Sequence, residues 1–402
     1  MSTQVTSHLD PTPCLVSIAN TNTPYRLHVH ERIAREISDL KLSTLFTHET
    51  GSAPWQLTGT SETTPILFGA GHASVDQSKL RFLWREWRKA GRIIRWMKGR
   101  NVRAILLVGY NDIGRVRLIR WAHRHQIPCM VWGDSNIRGD RATGVKKWLK
   151  KMCLPHILSR CAAILACGGL GRAYFLKYGA RPHRIFLFPV EPDYKIIDSL
   201  DEAEIELVRA RYALKKGRRR LIYSGRMVSE KRVDLALAAF AAIADERPEW
   251  DLMLVGGGEL LDALKGLVPT HLEHRVLFTS FINDQRTVAA LYRLSDALIL
   301  PSDYEPWALV INEAAAAGLA IVASSVVGAA AELVREGING RTFAAGSLPA
   351  LTEALREVTA PDAIDRMKSE SRFVLADWRR KADPIDGLRQ ALQHFGAIQR
   401  SQ

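Results

Sequence analysis

Two glutamates, Glu305 and Glu313, stand with seven residues between them in a stretch whose neighbours punctuate it clearly. The apolar run 297–300 ahead of them reads as a buried strand, ended by Pro301 and Ser302. Pro306 suits the first turn of a helix, where a missing N–H costs nothing. That helix is expected to run through Glu313 and the alanines 314–317, with Gly318 just past its end. Residues 319–323 read as the next strand. In such a β–loop–α–β unit the amides of residues 307–310 form an anion site. Glu305 lies in the loop beside it, and Glu313 about two turns along the helix. An anion held there has two hydroxyl-accepting carboxylates close by, which is the pattern of a sugar nucleotide: a diphosphate flanked by a ribose and a hexose.

Four further segments extend the pattern. Ser224-Gly225-Arg226 is followed by Glu230-Lys231-Arg232. Next comes Leu254-Val255-Gly256-Gly257-Gly258-Glu259, then Gly328 with Glu332-Leu333-Val334, then Gly337-Ile338-Asn339-Gly340. Together with Glu305 and Glu313 these segments resemble retaining glycosyltransferases of family 4, with their E-x7-E motif, G-R…E-K clamp and G-x-N-G segment. The resemblance is strong over residues 221–343. Ala308 stands where that family usually has Gly, and Ala320 where it often has Pro.

The resemblance implies an α/β chain of the GT-B type: two Rossmann-like, doubly wound parallel-sheet domains facing a cleft. It implies an acceptor-binding domain over residues 1–192, a nucleotide-sugar-binding domain over 193–374, and a terminal helix, 375–402, folded back on the first. It further implies roles. Glu305 accepts hydrogen bonds from the donor hexose and Glu313 from the ribose. Arg226 and Lys231 clamp the diphosphate together with the amides of Ala308, Leu309 and Val310. Gly225, Gly256, Gly257 and Trp307 border the donor, and Phe281 and Ile282 lie along the base. Asp134, at a strand end, matches a position that faces the reacting sugar, although a turn-capping aspartate reads equally well there. The donor would be a UDP- or GDP-sugar, the acceptor a glycan or lipid-linked sugar, and the setting bacterial surface polysaccharide synthesis. No D-x-D tripeptide occurs in the chain. A fixed pair of cations is therefore expected to meet the leaving diphosphate without a metal, and no cofactor is expected.

Stepping outward along the chain, apolar runs at 14–19, 65–68, 104–109, 129–132 and 162–166 read as strands of a first sheet. Runs at 221–224, 250–255, 274–281 and 297–300 read as strands of a second. Helical patterns between them imply parallel sheets, with ligands at the carboxyl ends of the strands. The turn 20–24 carries asparagines and threonines and reads either as a plain turn or as a site wall. Residues 193–216 are charged and helical, a connector. Residues 372–395 are helical around Pro384.

Length and composition bound the alternatives. A chain of 402 residues suggests two domains. No apolar run is long enough to span a bilayer, and residues 1–13 lack a signal-peptide core. The five cysteines form no C-x-x-C, so neither a disulfide framework nor a zinc site is signalled, and a cytoplasmic setting fits. A net charge of +14 asks for an anionic partner. Within residues 81–103 an apolar stripe runs through Leu83, Trp87, Ala90, Ile94 and Met97. Trp84, Arg85, Arg88, Lys89, Arg92 and Trp96 surround it. This is either an ordinary surface helix or one that meets an anionic membrane, such as the inner face of the cell membrane. Lys146, Lys147, Lys150 and Lys151 form a second basic group. No nucleic-acid module accompanies the charge, so nucleic acid is not an expected partner. Other readings are a GT-B sugar-nucleotide epimerase, a non-catalytic basic protein, and an NAD-linked enzyme suggested by Gly169-x-Gly171 with Glu191 beyond.

Overall fold

The structure is a computed structural model that describes residues 10–51, 64–77 and 79–399. The polar N-terminal residues 1–9, where no signal core is expected, lie outside the described residues. The chain divides into two compact units. The first comprises Met1–Asp134, Arg141–Val190 and Ala382–Gln402. The second comprises Ser135–Asp140 and Glu191–Lys381.

The first unit carries seven strands: β1 (Asp10–Ala19), β2 (Lys41–Phe46), β3 (Ile66–Leu67), β4 (Arg100–Val108), β5 (Cys129–Gly133), β6 (Ala163–Ala166) and β7 (Ile185–Leu187). They form one sheet in the order β3-β2-β1-β4-β5-β6-β7, with every pair parallel. Central strands are covered on both faces, so their residues run apolar without alternation. Ala104, Ile105, Leu106 and Leu107 of β4 are all fully buried. β2 is absent from the sequence expectation, because KLSTLF mixes polar and apolar residues over a short run. The helix Pro384–His394 closes this unit, and Gly387 lets its backbone approach the Leu187 carbonyl, where a Cβ would clash. The preceding helix, Ile364–Lys381, belongs wholly to the second unit, so the chain returns to the first at Ala382.

The second unit carries β8 (Arg219–Ser224), β9 (Trp250–Val255), β10 (Val276–Ser280), β11 (Ala297–Leu300), β12 (Ala320–Ser324) and β13 (Gly340–Phe343). Their order is β10-β9-β8-β11-β12-β13, again all parallel. The order of connection reverses between β8 and β11, and a doubly wound sheet binds ligands outside the strand ends at such a reversal. This unit's candidate residues follow from that topology, because β8 leads into the 225–232 segment and β11 into the 301–308 segment.

The Gly168–Gly171 turn follows β6, two strands away from the reversal between β1 and β4. Glu191 is buried in an ion pair with Arg379 at 3.2 Å. Both facts remove the basis of the dinucleotide reading.

Candidate functional site

The loops after β8 and β11 meet. After Ser224, Tyr223 anchors the turn by donating from its hydroxyl to the Arg226 carbonyl at 2.7 Å. The chain then forms a single 3-10 turn, Ser229–Lys231, and Arg232 takes a left-handed conformation with φ of 51°. The amide of Asp303 donates to the Glu230 carbonyl at 2.9 Å, and Arg232 pairs with Asp303 at 3.1 Å. These contacts bring the Lys231 ammonium onto the Glu305 carboxylate in a direct ion pair, with both side chains only 13% and 15% exposed. Arg226 is half exposed and pairs with Glu230 at 3.0 Å.

The glycine turn after β9 interlocks with the same segment. A Cβ on Gly256 would strike the Gly225 carbonyl, and one on Gly258 would strike the Met227 backbone. The amide of Met227 donates to the Gly257 carbonyl at 2.8 Å. Gly256 is thus demanded by packing against Gly225, whereas Gly257 has room for a side chain. Phe281 is 48% exposed and Ile282 partly exposed just past β10.

The helix bearing Glu313 runs Leu309–Ala317. Pro306 therefore does not occupy its first turn, contrary to the sequence expectation. The backbone of residues 305–307 is paired elsewhere: Gly328 N–H donates to the Glu305 carbonyl at 3.2 Å, and Ala329 N–H to that of Trp307 at 2.8 Å. Ala308 precedes the helix with φ of 84° and ψ of 90°, a backbone that favours glycine. The amides of Leu309 and Val310 stand in the first turn, where no intrahelical acceptor exists.

Trp307 is held from another helix. Its indole is 5% exposed and packs against Trp378 with ring centroids 6.3 Å apart. The side chain is a core element, so any part of Trp307 in a donor site falls to its backbone.

Glu313 sits deep. Tyr292 donates its hydroxyl to Glu313 at 3.1 Å, and Ser224 at the end of β8 contacts the same hydroxyl. Burial holds the Glu313 carboxyl above its ordinary range, and the Tyr292 hydrogen bond opposes that shift. The neighbouring Asn312 is buried and donates to the Tyr194 hydroxyl at 3.0 Å, fixing the helix against the start of the unit.

One residue of the site escaped the sequence reading. Asn136, 4% exposed, donates from its side-chain amide to the carbonyls of Glu305 at 3.0 Å, Pro306 at 3.1 Å and Val326 at 3.1 Å. Nothing in the local sequence separates it from the turn residues around it. Asp134 closes the first unit's β5, whereas Arg226, Lys231, Glu305 and Glu313 all belong to the second unit. Among the described residues, no group of His, Cys, Asp and Glu is arranged to hold a metal ion.

The two doubly wound units define the class of fold, which is GT-B. Residues 204–372, most of the second unit, match the family of glycosyl transferases group 1. Over 166 residues the chain is 36% identical to a glycogen synthase of Mycobacterium tuberculosis, covering 40% of this chain and 39% of that one. The chain spans about a third of the length of the curated relatives it matches. Among solved structures, sucrose-phosphate synthase from Thermosynechococcus elongatus superposes with a TM-score of 0.74 at 18% identity, over 96% of this chain and all of that one. Anabaena HepE in complex with UDP and glucose superposes with a TM-score of 0.67 at 15% identity over the same share of this chain. The chain thus resembles glycosyltransferases of GT-B fold, with sequence likeness concentrated in the second unit.

Proposed function

We propose that this protein is a retaining, metal-independent glycosyltransferase that moves a hexose from a nucleoside-diphosphate sugar to a glycan or lipid-linked acceptor, in surface polysaccharide synthesis at the inner face of the cell membrane. The observation that carries the reading is the meeting of Lys231 and Glu305 at the reversal between β8 and β11, beside the amides of Leu309 and Val310. UDP bound to a structural relative supports a UDP-sugar as the donor.

The site can act as follows. Lys231 and Glu305 satisfy one another in the structure. A diphosphate placed on the helix amides offers Lys231 a stronger anionic partner, and Glu305 is then released to accept hydrogen bonds from hexose hydroxyls. Arg226 swings from Glu230 on an exposed side chain to the same diphosphate. As the bond from sugar C1 to phosphate oxygen breaks, the oxygen gains charge, and fixed cations and amides aimed at it lower the barrier. Glu313, reached by ribose hydroxyls that donate to it, replaces lost hydration at a buried carboxylate. Asp134 at the end of β5 is the first unit's candidate for contact with the reacting sugar.

The test is a thermal-shift screen of UDP- and GDP-sugars, followed by transfer assays with the donor that stabilises most. Glu305→Gln should abolish or greatly slow transfer while the fold stays intact, with a modest drop in melting temperature from the unpaired Lys231. Wild-type turnover by that variant would remove the assignment.

A further inference from the structure

The helix Gly144–Leu158 in the first unit carries an apolar ridge that none of the described residues covers. Val145, Trp148, Leu149 and Met152 are 72%, 60%, 46% and 52% exposed. Their spacing of three, four and seven residues puts them on one face. Leu154 and Leu158, which are buried, hold the opposite face of the helix to the unit. Lys146 and Lys151 fall on the two flanks of the ridge and are exposed, as is Lys147. Lys150 turns inward, its ammonium 4.9 Å over the Tyr174 ring. The helix sequence contains no acidic residue.

We propose that this helix is the surface by which the protein docks on an anionic lipid bilayer, with the ridge in the interfacial region and the flanking lysines among the headgroups. A tryptophan with aliphatic neighbours, flanked by long cationic side chains, is suited to an interface that is apolar below and negatively charged above. A second copy of this chain is a poor occupant, because a net charge of +14 sets like against like. The helix Leu83–Lys98 is the weaker candidate for that face. There Lys89 is 2% exposed and paired with Glu86 at 2.8 Å. Arg85 stacks on the Phe82 ring at 4.0 Å, Arg100 covers Trp96 at 3.8 Å, and Arg92 donates to the Phe68 carbonyl. Arg85, Lys89 and Arg92 are thus already engaged, which leaves Arg88, Arg95 and Lys98 as the other exposed cations of that helix. The proposal rests on the membrane setting proposed above, not on glycosyl transfer itself, and transfer assays in free solution test the latter separately.

Flotation of the intact protein with vesicles tests it, using phosphatidylcholine alone and phosphatidylcholine mixed with phosphatidylglycerol. The wild type should float with the anionic vesicles, and salt should weaken it. Each lysine near such a surface contributes roughly fivefold in partitioning. Lys146→Glu, Lys147→Glu and Lys151→Glu combined should therefore reduce binding by roughly a hundredfold or more. Trp148→Ser with Leu149→Ser should also detach the protein, whereas Trp84→Ser should not. All these side chains are exposed, so the melting temperature is expected to stay put and serves as the control for folding. Equal recovery with neutral and anionic vesicles overturns the proposal. So does retained binding by the Trp148→Ser, Leu149→Ser variant. A dimer in sedimentation equilibrium that this variant dissociates, without vesicle binding by the wild type, would assign the ridge to a second copy instead.

Discussion

The side-chain amide of Asn136 holds the main-chain oxygen of Glu305 at 3.0 Å and, with the same nitrogen, the carbonyls of Pro306 and Val326. A neutral amide donor thus fixes the backbone of the loop whose carboxylate meets Lys231. Asn136→Asp would set a carboxylate against three carbonyl oxygens in a buried place. An unsatisfied buried polar group costs about 1–3 kcal/mol, so the second unit should melt earlier. Transfer should slow by about tenfold, in kcat more than in KM for the donor, since each 1.36 kcal/mol of lost alignment is about tenfold. Asn136→Ser, which keeps a donor, should recover part of kcat. An Asp variant with wild-type kcat would reduce Asn136 to a structural pin.

Glu313 is expected to trade stability for binding. Burial raises its carboxyl above the ordinary value of 4.5, against the pull of Tyr292. A folded-state pKa above the unfolded one stabilises the protein while the proton is on, below the ordinary range. That contribution is lost as pH rises through the raised value. Glu313→Gln should therefore melt higher than wild type at neutral pH, with the gap closing below the ordinary glutamate range. Donor affinity should fall by about 10- to 100-fold, the worth of a hydrogen bond to a charged group. A neutral-pH melt in which wild type is the more stable would show that the charge is compensated in the fold.

Much of this site was legible because its strands are buried and parallel. β11 is apolar throughout and β8 and β9 each hold an apolar run, 221–223 and 252–255, and the residues after them are the polar ones a ligand would meet. What was hidden depends on pairings between distant segments. Pro306 reads as a helix start until Gly328 and Ala329 claim the backbone of Glu305 and Trp307. The burial of the Trp307 ring shows only when Trp378 arrives from another helix. Lys89 reads as a surface cation, yet Glu86 lies on its own helix face and His48 comes from the end of β2 to complete the buried cluster. Asn136 is one polar turn residue among several, and only the tertiary fold supplies its three acceptors.

That buried cluster carries its own expectation. Burial opposes the Glu86 charge, but hydrogen bonds from His48 and Lys89 overcome it and bring the carboxyl down to about 2. Stability from Glu86 is present above the ordinary glutamate range and lost as pH falls toward 2. Glu86→Ala strands Lys89 in the interior and should cost about 3–5 kcal/mol, the usual consequence of breaking a buried pair. A urea melt that moves by less than about 1 kcal/mol would mean that Lys89 finds water.

Ala308 holds φ at 84° at the mouth of the Glu313 helix. An L-residue in that region costs about 1–2 kcal/mol, which glycine avoids, while glycine loses about 0.5–1 kcal/mol through its freer unfolded chain. Ala308→Gly should leave stability unchanged or improved by up to about 1.5 kcal/mol. It should also lower KM for the donor, because a methyl beside the Leu309 amide is gone. Denaturant unfolding and donor titration read the two effects separately. A marked loss of stability would mean that the packing of this 9% exposed methyl outweighs its strain.

Lys231 and Arg226 should divide the leaving-group charge between them, and their settings differ. Lys231 is held by Glu305 in a partly buried pair, while Arg226 is half exposed and tied to Glu230. Preorganised charge acts most strongly where water is excluded, so Lys231 should be the more important of the two. Lys231→Ala should lower kcat by about 10²–10³-fold, as loss of one preorganised donor does elsewhere. Arg226→Ala should cost less. Both should reduce kcat more than they raise KM, because the diphosphate oxygen carries more charge in the transition state than in the bound donor. Lys231→Ala also leaves Glu305 without its cation. Lys231→Ala with Glu305→Gln should therefore recover stability without recovering transfer, which separates folding from chemistry. EDTA should change the wild-type rate little. Activity that vanishes with EDTA and returns with Mn²⁺, in a protein whose Lys231→Ala and Arg226→Ala variants stay active, would place the stabilisation of the leaving group on a metal rather than on these side chains.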